Sequence, residues 1–430
     1  MSAKKDGTLA VDPNTVAPDV GRPLSKLETG RFMIGFIVFG IMWMMSGTIG
    51  SSVLFPQRFE ELWPGQGESI LTTMNSVGIV FALLASIICG ALSDRTRSRF
   101  GKRTPWVLVG GFICGAAFWS TSAATSIPVI VASWSVLQIG LNMMLTPVTA
   151  MMSERIPACN RALISAFYGG GATVGSSVGI MIGSHFLTNP IPGFLTGLVA
   201  WCLTGIIAIV IWPTEKSSKD EAPREKLSAS TLFAVFQPPT KNCFDYYMAF
   251  AGRLFFYLGM WGVYSFQLYI LQKYIGLSVE DSGAVMTSMS LVIMVISLAT
   301  SIVSGYISDK FARRKPLVAA ATLLVAAGIA APWLMKSVAG MYIFAACYAF
   351  GNGIYGAVDQ ALNIDVLPDK ENAGKDLGFL NIATNVGQIC SPIIGSTIVG
   401  VTGSYFLVFP AALVCLVVGA VVILLIKNVK

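Results

Sequence analysis

Long apolar stretches separated by short polar ones make up most of the chain from residue 31 onward. A membrane-spanning helix needs about 20 mostly apolar residues, and twelve stretches reach that length. Their approximate limits are 31–54, 70–92, 105–125, 127–152, 162–185, 194–213, 246–272, 282–305, 317–336, 339–366, 375–400 and 404–426. The pattern therefore predicts an all-α membrane protein with twelve transmembrane helices.

The composition is that of a membrane protein. Of the 430 residues, 54% are hydrophobic and 12% are charged, whereas soluble domains carry about 25% charged residues. A net charge of +7 can indicate nucleic-acid binding, but the distribution of these charges follows membrane topology instead. We therefore expect a lipid bilayer, and no nucleic acid, as a partner.

Metal, disulfide and enzymatic chemistry are not expected. None of the 8 cysteines forms a CxxC pair, and most lie in apolar runs, as small buried hydrophobic residues do. The only histidine, His185, lies at the outer end of the fifth span. It leaves no Ser–His–Asp, Cys–His or metal-binding group to assemble, so we expect neither a cofactor nor an enzyme.

Basic residues indicate the side of the membrane on which each loop lies, because Lys and Arg are enriched in cytoplasmic loops. They cluster in the N-terminal tail and in the loops after the second, sixth and eighth spans, whereas only Arg58, Lys273 and Lys336 fall on the other side. We expect a multi-pass protein of the cell (inner or plasma) membrane with both termini in the cytoplasm. Residues 1–30 are expected to form a disordered cytoplasmic tail, and 214–245 a cytoplasmic central loop.

The chain contains an internal repeat, with six spans in residues 31–213 and six in 246–430. Corresponding residues recur between 211 and 215 positions apart. The pairs are Gly90 and Gly305, Asp94 and Asp309, Glu154 and Asp365, and Gly175 and Gly387. Two parallel halves with a binding site between them are typical of transporters. The sequence thus predicts two pseudo-symmetric six-helix halves that act as a monomer with one central site.

The loop between the second and third spans carries the most specific motif. It begins with Gly90 and Asp94-Arg95 and ends with Arg99-Phe-Gly-Lys-Arg-Thr-Pro-Trp106, and a shorter copy lies at 305–316. A glycine lets two helices approach closely, and an aspartate pairs with a nearby arginine. The basic residues bridge helices or meet anionic headgroups.

With these residues the sequence resembles the major facilitator superfamily, and the longer form of the loop resembles its branch of glycoside–pentoside–hexuronide:cation symporters and sucrose transporters. Two further stretches, 252–259 and 358–368, support that branch. The resemblance runs from about Arg31 to the end of the chain. It implies the major facilitator fold, alternating access, and import of a sugar or glycoside coupled to H⁺ or Na⁺. The second span holds no acid, unlike that of melibiose-type sodium symporters, which favours H⁺.

One acidic residue, Asp359, lies clearly inside a predicted span, where charged groups are costly and usually functional. It shares a helical face with Asn352, Tyr355 and Asn363, and we expect that face to line the central cavity. A carboxyl there suits a group that loads and releases a proton. Arg253, in the first turns of the seventh span, is its predicted partner in cation coupling. The alternatives are a purely structural carboxylate and an arginine that reaches the membrane surface.

Amides and aromatic residues recur at helical spacing within the spans, and we predict that they bind the substrate. Amides bind sugar hydroxyls through donors and acceptors, and aromatic rings cover the apolar faces of a sugar. The predicted residues are Trp43, Asn75, Gln138, Asn142, Trp261, Tyr264, Gln267, Asn352, Tyr355, Asn381, Asn385 and Gln388. Interhelical hydrogen bonding is the alternative for each of them. Trp201 and Trp212 fit interfacial anchors.

We expect a gate at the cytoplasmic end, where charged residues and glycines flank the inner ends of the spans. Its predicted members are Gly90, Asp94, Arg95, Arg99, Gly101, Arg103, Glu154, Arg155, Gly305, Asp309, Lys310, Arg313, Asp365 and Lys375. Their ion pairs are predicted to lock the outward-open state, and solvated loop charges are the alternative.

Together these features predict a secondary active transporter, namely a proton-coupled symporter that imports a small sugar or glycoside by alternating access. The nearest rival is a proton-driven exporter of drugs or metabolites, whose pocket should be more apolar and hold fewer amides. The alternative of another class is a non-transporting nutrient sensor. Such sensors carry long cytoplasmic extensions, whereas the tail and the central loop here have only about 30 residues each.

Overall fold

The computed structural model describes residues 13–219, 243–311, 314–367 and 373–427. These residues are helical almost throughout, with one short hairpin near the N-terminus. We name the two ends of the helix bundle by the predicted orientation. The inner end holds the start of the first helix at Lys26 and the end of the described chain, and the outer end is opposite.

The N-terminal half begins with a span that is longer than the sequence predicted. Its helices are α1 (Lys26–Thr48), α2 (Phe55–Leu62), α3 (Gly67–Ser93), α4 (Thr104–Ala123), α5 (Ile127–Arg155), α6 (Ala158–His185) and α7 (Pro190–Val210). A π-helical turn, Ile49–Leu54, joins α1 to α2. The first span therefore continues from Lys26 to Leu62 without a break.

The C-terminal half repeats this arrangement. Its helices are α8 (Phe244–Tyr264), α9 (Gln267–Tyr269), α10 (Val279–Phe311), α11 (Arg314–Met335), α12 (Val338–Asp365), α13 (Ala373–Thr402) and α14 (Val408–Leu424). A second π-helical turn, Ile270–Ile275, lies at the place that corresponds to the first. The segment Gln267–Ile275 is bent by 45° from α8.

The predicted all-α membrane fold is confirmed. In the described part of the chain nine helices are long and apolar enough to cross a bilayer, or ten if the bent α8–α9 pair is one span. Two further helices occupy predicted spans. α6 is rich in glycine and serine, and α14 has 17 residues. Each of the twelve predicted stretches thus corresponds to a helical segment.

The helices pack into two bundles that meet along two seams. In the first bundle α1 packs on α6, α3 on α5, and α4 on both α5 and α7. In the second, α11 packs on α12, α8 on α14, and α10 on α12. The seams between the halves are α6 against α10 and α3 against α13, and the space between the two seams holds the site described below.

Glycines set the separation of α1 and α6. A Cβ atom on Gly171, Gly175 or Gly179 of α6 would collide with the backbone of α1 at Ile37, Ile41 and Met45 in turn. Small residues at this spacing let two helix backbones approach closely inside a membrane. The glycine-rich fifth span is therefore explained by packing within the N-terminal half.

The predicted disordered tail, 1–30, is wrong for its described part. Residues Val16–Ala17 (β1) and Arg22–Pro23 (β2) form an antiparallel hairpin, and Ala17 is fully buried. Ser25 and Glu28 then form a reciprocal capping box that starts α1. The hairpin is held because Asp19 pairs with Arg155 of α5 at 3.2 Å. Residues 1–12 lie outside the described chain.

Candidate functional site

A cavity of about 470 Å³ lies between the two halves, midway along the spans. Helices α1, α3, α5, α6 and α7 line it from the N-terminal half, and α8, α10, α12 and α13 line it from the C-terminal half. We call it the central cavity. Its volume is in the range of sites that enclose a small molecule, and its place between the halves agrees with the predicted single central site.

Four amide side chains line the central cavity, two from each half. Asn75 of α3 and Gln138 of α5 face Asn352 of α12 and Gln388 of α13. All four are half-buried, and none makes a side-chain hydrogen bond to another described residue. An amide carries two N–H donors and an oxygen acceptor. Both halves therefore offer hydrogen-bonding groups to a substrate.

Aromatic rings form much of the remaining wall. Trp43, Trp261 and Tyr264 line the cavity as predicted, and the ring of Tyr264 stacks on that of Tyr348 with centroids 4.9 Å apart. Tyr348 was not predicted, and neither was Trp134 of α5.

Two tryptophans that fitted interfacial anchors lie inside the protein instead. Trp201 is 1% exposed and lines the central cavity from α7. Trp212 is equally buried, with its ring 5.1 Å from that of Phe36. For Trp201 a signal was available, because it lies midway along Pro190–Val210, far from either interface.

Three predicted substrate-binding residues do not line the described cavity. Asn142 donates from Nδ2 to the backbone oxygen of Gln138 at 2.9 Å. Gln267 is 4% exposed at the bend after α8. Tyr355 is 1% exposed, and its ring stacks on that of Phe256 at 3.6 Å. Asn142 thus makes a hydrogen bond within its own helix, and Tyr355 makes a ring contact with α8, whereas the alternative left open by the sequence was interhelical hydrogen bonding.

Two further predicted residues of α13, Asn381 and Asn385, also lie outside the described cavity. Asn385 is about one turn, and Asn381 about two turns, closer to the inner end than Gln388. Asn381 is exposed. Helical spacing places Asn381, Asn385 and Gln388 on one face of α13, but of these three only Gln388 lies at the depth of the described cavity.

Asp359 and Arg253 meet inside the C-terminal half. Both are 5% exposed, and Arg253 Nη1 lies 3.6 Å from Asp359 Oδ2. Asn363 donates from Nδ2 to the same carboxylate oxygen at 2.9 Å, and Arg253 donates from Nε to Thr384 Oγ1 at 2.8 Å. The predicted pair is therefore present and ties α8, α12 and α13 together. It does not line the described cavity, contrary to expectation, because it lies nearer the inner end and is enclosed by its own half.

The two halves are joined at the outer end by a charged cluster that the sequence analysis missed. Lys273 donates from Nζ to Glu60 Oε2 at 2.9 Å and to Glu68 Oε1 at 2.8 Å, and the hydroxyl of Tyr405 donates to the same oxygen of Glu68. We call these four residues the outer cluster. Glu68 is only 6% exposed. The sequence did hold a sign of this cluster. Lys273 follows the seventh predicted span, and Glu60 and Glu68 follow the first, which places all three at the outer end.

Arg103 organises the inner end of the N-terminal half. Its side chain is 2% exposed and donates to Glu154 Oε1 at 2.6 Å, to Ser93 Oγ at 2.9 Å and to the carboxylate of Asp94. Burial acts to lower the pKa of this guanidinium, but Glu154 and Asp94 raise the pKa by more. We call these four residues the inner cluster, and it joins α3, α4 and α5 of one half.

Glu215 explains the glycine of the loop motif. Its carboxylate accepts hydrogen bonds from the backbone N–H groups of Lys102, Arg103 and Thr104, at the start of α4. A carboxylate at a helix N-terminus is favoured by the helix dipole. Gly101 has φ +88°, and a Cβ atom there would collide with Glu215. Only glycine meets both conditions without strain.

The other ion pairs of the inner end also stay within one half. Arg155 pairs with Asp19 and donates to the backbone oxygens of residues 213 and 214. Arg314 pairs with Asp365 at 2.5 Å. Ion pairs were rightly predicted here, but those between described residues join parts of the same half. These pairs therefore do not lock the two halves together at the inner end, contrary to the prediction, because the charged side chains face their own half.

The remaining predicted gate residues make weaker contacts or are not described. Gly90 packs against Thr146, and Arg99 is exposed above the ring of Phe100. Arg95 lies at the start of the same loop, two residues after α3, and also makes a contact. Arg313 lies outside the described residues. The helical backbone is described at Gly305, Asp309, Lys310 and Lys375, but no side-chain contact is described there.

The chain belongs to the Major Facilitator Superfamily, whose sequence model matches residues 31–300 and 249–429. It is therefore a multi-pass membrane transporter and not an enzyme. The family accounts for the two similar halves and for a small-molecule site between them.

Two curated relatives match parts of the chain. The hexuronate transporter of Bacillus subtilis (strain 168) is 25% identical over 280 residues, which is 60% of this chain and 63% of that protein. The Na⁺, Li⁺, K⁺/H⁺ antiporter of Planococcus maritimus is 29% identical over 155 residues, 33% of this chain and 34% of that protein. The chain thus matches less than two thirds of either relative's length.

Solved structures resemble the whole fold. A bacterial homologue of the human lysosomal transporter Spinster, in an inward-facing and occupied conformation, has a TM-score of 0.67 at 15% identity, covering 95% of this chain and 98% of its own. The nucleoside transporter NupG has a TM-score of 0.71 at 12% identity, covering 92% and 100%. At such low identity the likeness shows the fold alone.

Proposed function

We propose that the protein is a symporter that imports a small sugar or glycoside by alternating access, driven by a proton gradient. The observation that carries this proposal is the central cavity, in which amides from both halves stand beside aromatic rings. Sugar hydroxyls are both donors and acceptors, and they match amides on either side. The apolar faces of a pyranose ring match tryptophan and tyrosine.

The same cavity weighs against the exporter alternative. A drug exporter needs an apolar pocket in which amides would be left without partners, and an unpartnered buried polar group is costly. Here Asn75, Gln138, Asn352 and Gln388 line one cavity of about 470 Å³. A hydroxylated substrate satisfies them, whereas an apolar one does not.

The two curated relatives suggest other cargoes, which we rank lower. Exchange of a metal cation for a proton, as the name of one relative states, commonly uses acidic residues in the ion pathway. Among the described residues that line the central cavity there is no Asp or Glu. Hexuronates, named for the other relative, are sugars that carry a carboxylate. They remain within the sugar proposal.

Asp359 is the proposed proton carrier. Its carboxylate faces Arg253 at 3.6 Å and accepts a hydrogen bond from Asn363. A proton on Asp359 would remove the charge that attracts Arg253, so the link between α12 and α8 would weaken. The resulting change in the C-terminal half would connect proton loading with movement of the helices that line the cavity.

The proposal is tested by uptake of radiolabelled mono- and disaccharides into proteoliposomes, with and without an inward proton gradient. We expect saturable uptake of at least one sugar, accelerated by the gradient. In Asp359→Asn we expect uptake to lose its response to the gradient. Asp281→Asn makes the same change at an exposed position, where the carboxylate accepts a hydrogen bond from the nearby Ser278, and should behave as wild type.

Two results would redirect the proposal. Uptake that follows sodium and ignores pH would retain the sugar and discard Asp359 as the proton site. Absence of sugar uptake under every gradient would favour export of another solute.

A further inference from the structure

The described lining of the central cavity carries no charged side chain. The acid and base nearest to it along α12 and α8 are Asp359 and Arg253, and they face each other at 3.6 Å inside the C-terminal half. Asp359 is seven residues beyond Asn352, which is about 10 Å along a helix. Arg253 also donates to Thr384. A solute in the cavity therefore meets amides, hydroxyls and aromatic rings, but no cationic side chain of the described lining.

A substrate carboxylate or phosphate would be costly in such a place. An ionised group that leaves water must gain an opposite charge or several hydrogen bonds to offset its lost hydration. The amides of Gln138 and Asn352 supply N–H donors, but neutral donors bind anions less strongly than guanidinium or ammonium groups do. An uncharged hydroxyl does not carry this desolvation cost, because hydrogen bonds to the amides replace those it made to water.

Two of the amides occupy equivalent places in the repeat. Gln138 and Asn352 are 214 positions apart, within the spacing of the other repeat pairs, and they belong to the fourth spans of their halves, α5 and α12. Each is half-buried and lines the central cavity. A substrate that binds both Gln138 and Asn352 would contact a side-chain amide of each half, on its two opposite sides.

We infer that the central cavity selects an uncharged sugar or glycoside and rejects sugars that carry a carboxylate or phosphate, and that Gln138 and Asn352 determine this selection. The inference rests on the proposed function, since it specifies which sugars the same cavity takes. Sugar transport by itself does not require an uncharged cavity. In this inference the lack of charge is what excludes charged sugars.

The test compares binding of matched sugars to the purified full-length protein in proteoliposomes. Glucose is compared with glucuronate, galactose with galacturonate, and each uronate with its uncharged methyl ester. We expect each neutral sugar that binds to do so at least roughly 30-fold more tightly than its uronate, because a buried charge is left without a counter-charge. The methyl ester should recover most of the difference, since it has the shape of the uronate without the charge.

Charge-adding variants test the two residues. Gln138→Lys and Asn352→Lys should each improve uronate binding by about tenfold or more, since a lysine supplies the missing cation, and should weaken neutral-sugar binding. Gln138→Leu should weaken neutral-sugar binding without any gain for the uronate. Thr149→Lys adds the same charge at an exposed position of α5 outside the described cavity and should change neither.

The outcomes separate this inference from the proposed function. A uronate that binds wild-type protein as tightly as its neutral partner would overturn the inference and leave sugar transport standing. Absence of binding by neutral sugars, uronates and esters alike would overturn both. The wild-type comparison needs no substitution, so a variant that fails to fold does not decide the result.

Discussion

The outer and inner ends of the bundle are both held by ion pairs, but the partners differ. At the outer end Lys273 of the C-terminal half pairs with Glu68 of the N-terminal half. At the inner end Arg103 pairs with Glu154 of its own half. The outer cluster therefore exists only while the two halves meet at that end, whereas the contacts of Arg103 in the inner cluster lie within one half.

This difference predicts separate consequences for the two ends. Alternating access moves one half against the other, so contacts between halves set which end is closed. Contacts within a half set how stable that half is. The outer cluster is thus expected to control the conformational equilibrium, and the inner cluster the stability of the N-terminal bundle.

The largest effect is expected from Arg103→Leu. The substitution leaves the carboxylates of Glu154 and Asp94 without their shared cation, and breaking a buried pair of this kind costs up to 3–5 kcal/mol. Because these carboxylates are 38% and 39% exposed, we expect roughly 2–4 kcal/mol of destabilisation. Thermal unfolding in detergent measures the loss. Arg99→Leu, at an exposed position of the same loop, should leave the melting temperature nearly unchanged, and equal losses in the two variants would refute the role of the cluster.

Gly101→Ala should act on the same end through the backbone. The alanine meets a positive φ of +88° and a Cβ collision with Glu215, so we expect destabilisation of about 1–3 kcal/mol. Glu215→Gln keeps the size of the side chain and should lose less, because only charge-assisted strength is reduced. A Gly101→Ala protein as stable as wild type would contradict this role of the glycine.

Lys273→Gln should change the state of the protein and not its stability. Removing the lysine weakens closure at the outer end by roughly 1–2 kcal/mol, since the side chains of Lys273 and Glu60 are still 30% and 23% exposed although Glu68 is buried. Spin labels on cysteines placed at Gln66 and Thr402, one in each half, should report a larger fraction of long distances. Lys336→Gln removes another outer lysine, which lies over Tyr274 of its own half, and should leave the distances unchanged. An unchanged distribution in Lys273→Gln would show that the outer cluster does not hold the halves.

Tyr405→Phe should give the smallest shift in the same direction. It removes one hydroxyl that donates to Glu68, and a hydrogen bond to a charged group contributes about 1.5–3 kcal/mol at most. Lys273 still pairs with Glu68 in this variant, so we expect roughly 1 kcal/mol or less of weakened closure. The spin-label distances should lie between those of wild type and Lys273→Gln. A shift larger than that of Lys273→Gln would place the main contact at Tyr405.

Sequence reasoning succeeded where the physical cause is local or repeated along the chain. The twelve spans follow from stretches of apolar residues, and the two halves from matched residues about 213 positions apart. The Arg253–Asp359 pair was also foreseeable, because a charged residue inside a span needs a partner at the same depth. Seven of the twelve predicted substrate-binding residues line the central cavity, among them Gln138 and Asn352.

The errors at the site share one cause, which is the rotation and depth of each helix in the bundle. Asn142 lies one turn after Gln138 on the same stripe, yet it bonds a backbone oxygen of its own helix. Trp201 looked like an interfacial anchor but faces the cavity from the middle of α7. Spacing places residues on a common face, but it does not say which neighbour that face meets or at what depth.

By itself the sequence determined that this chain is an all-α membrane transporter and predicted two similar halves, since hydrophobic length, basic loops and internal repetition are properties of the chain alone. The tertiary structure decided which side chains meet across the halves. Glu68 and Lys273 are 205 positions apart, and neither is unusual in its own segment. Only the packing of α3 against α13, and of α6 against α10, brings the halves together at the outer end and leaves the central cavity between them.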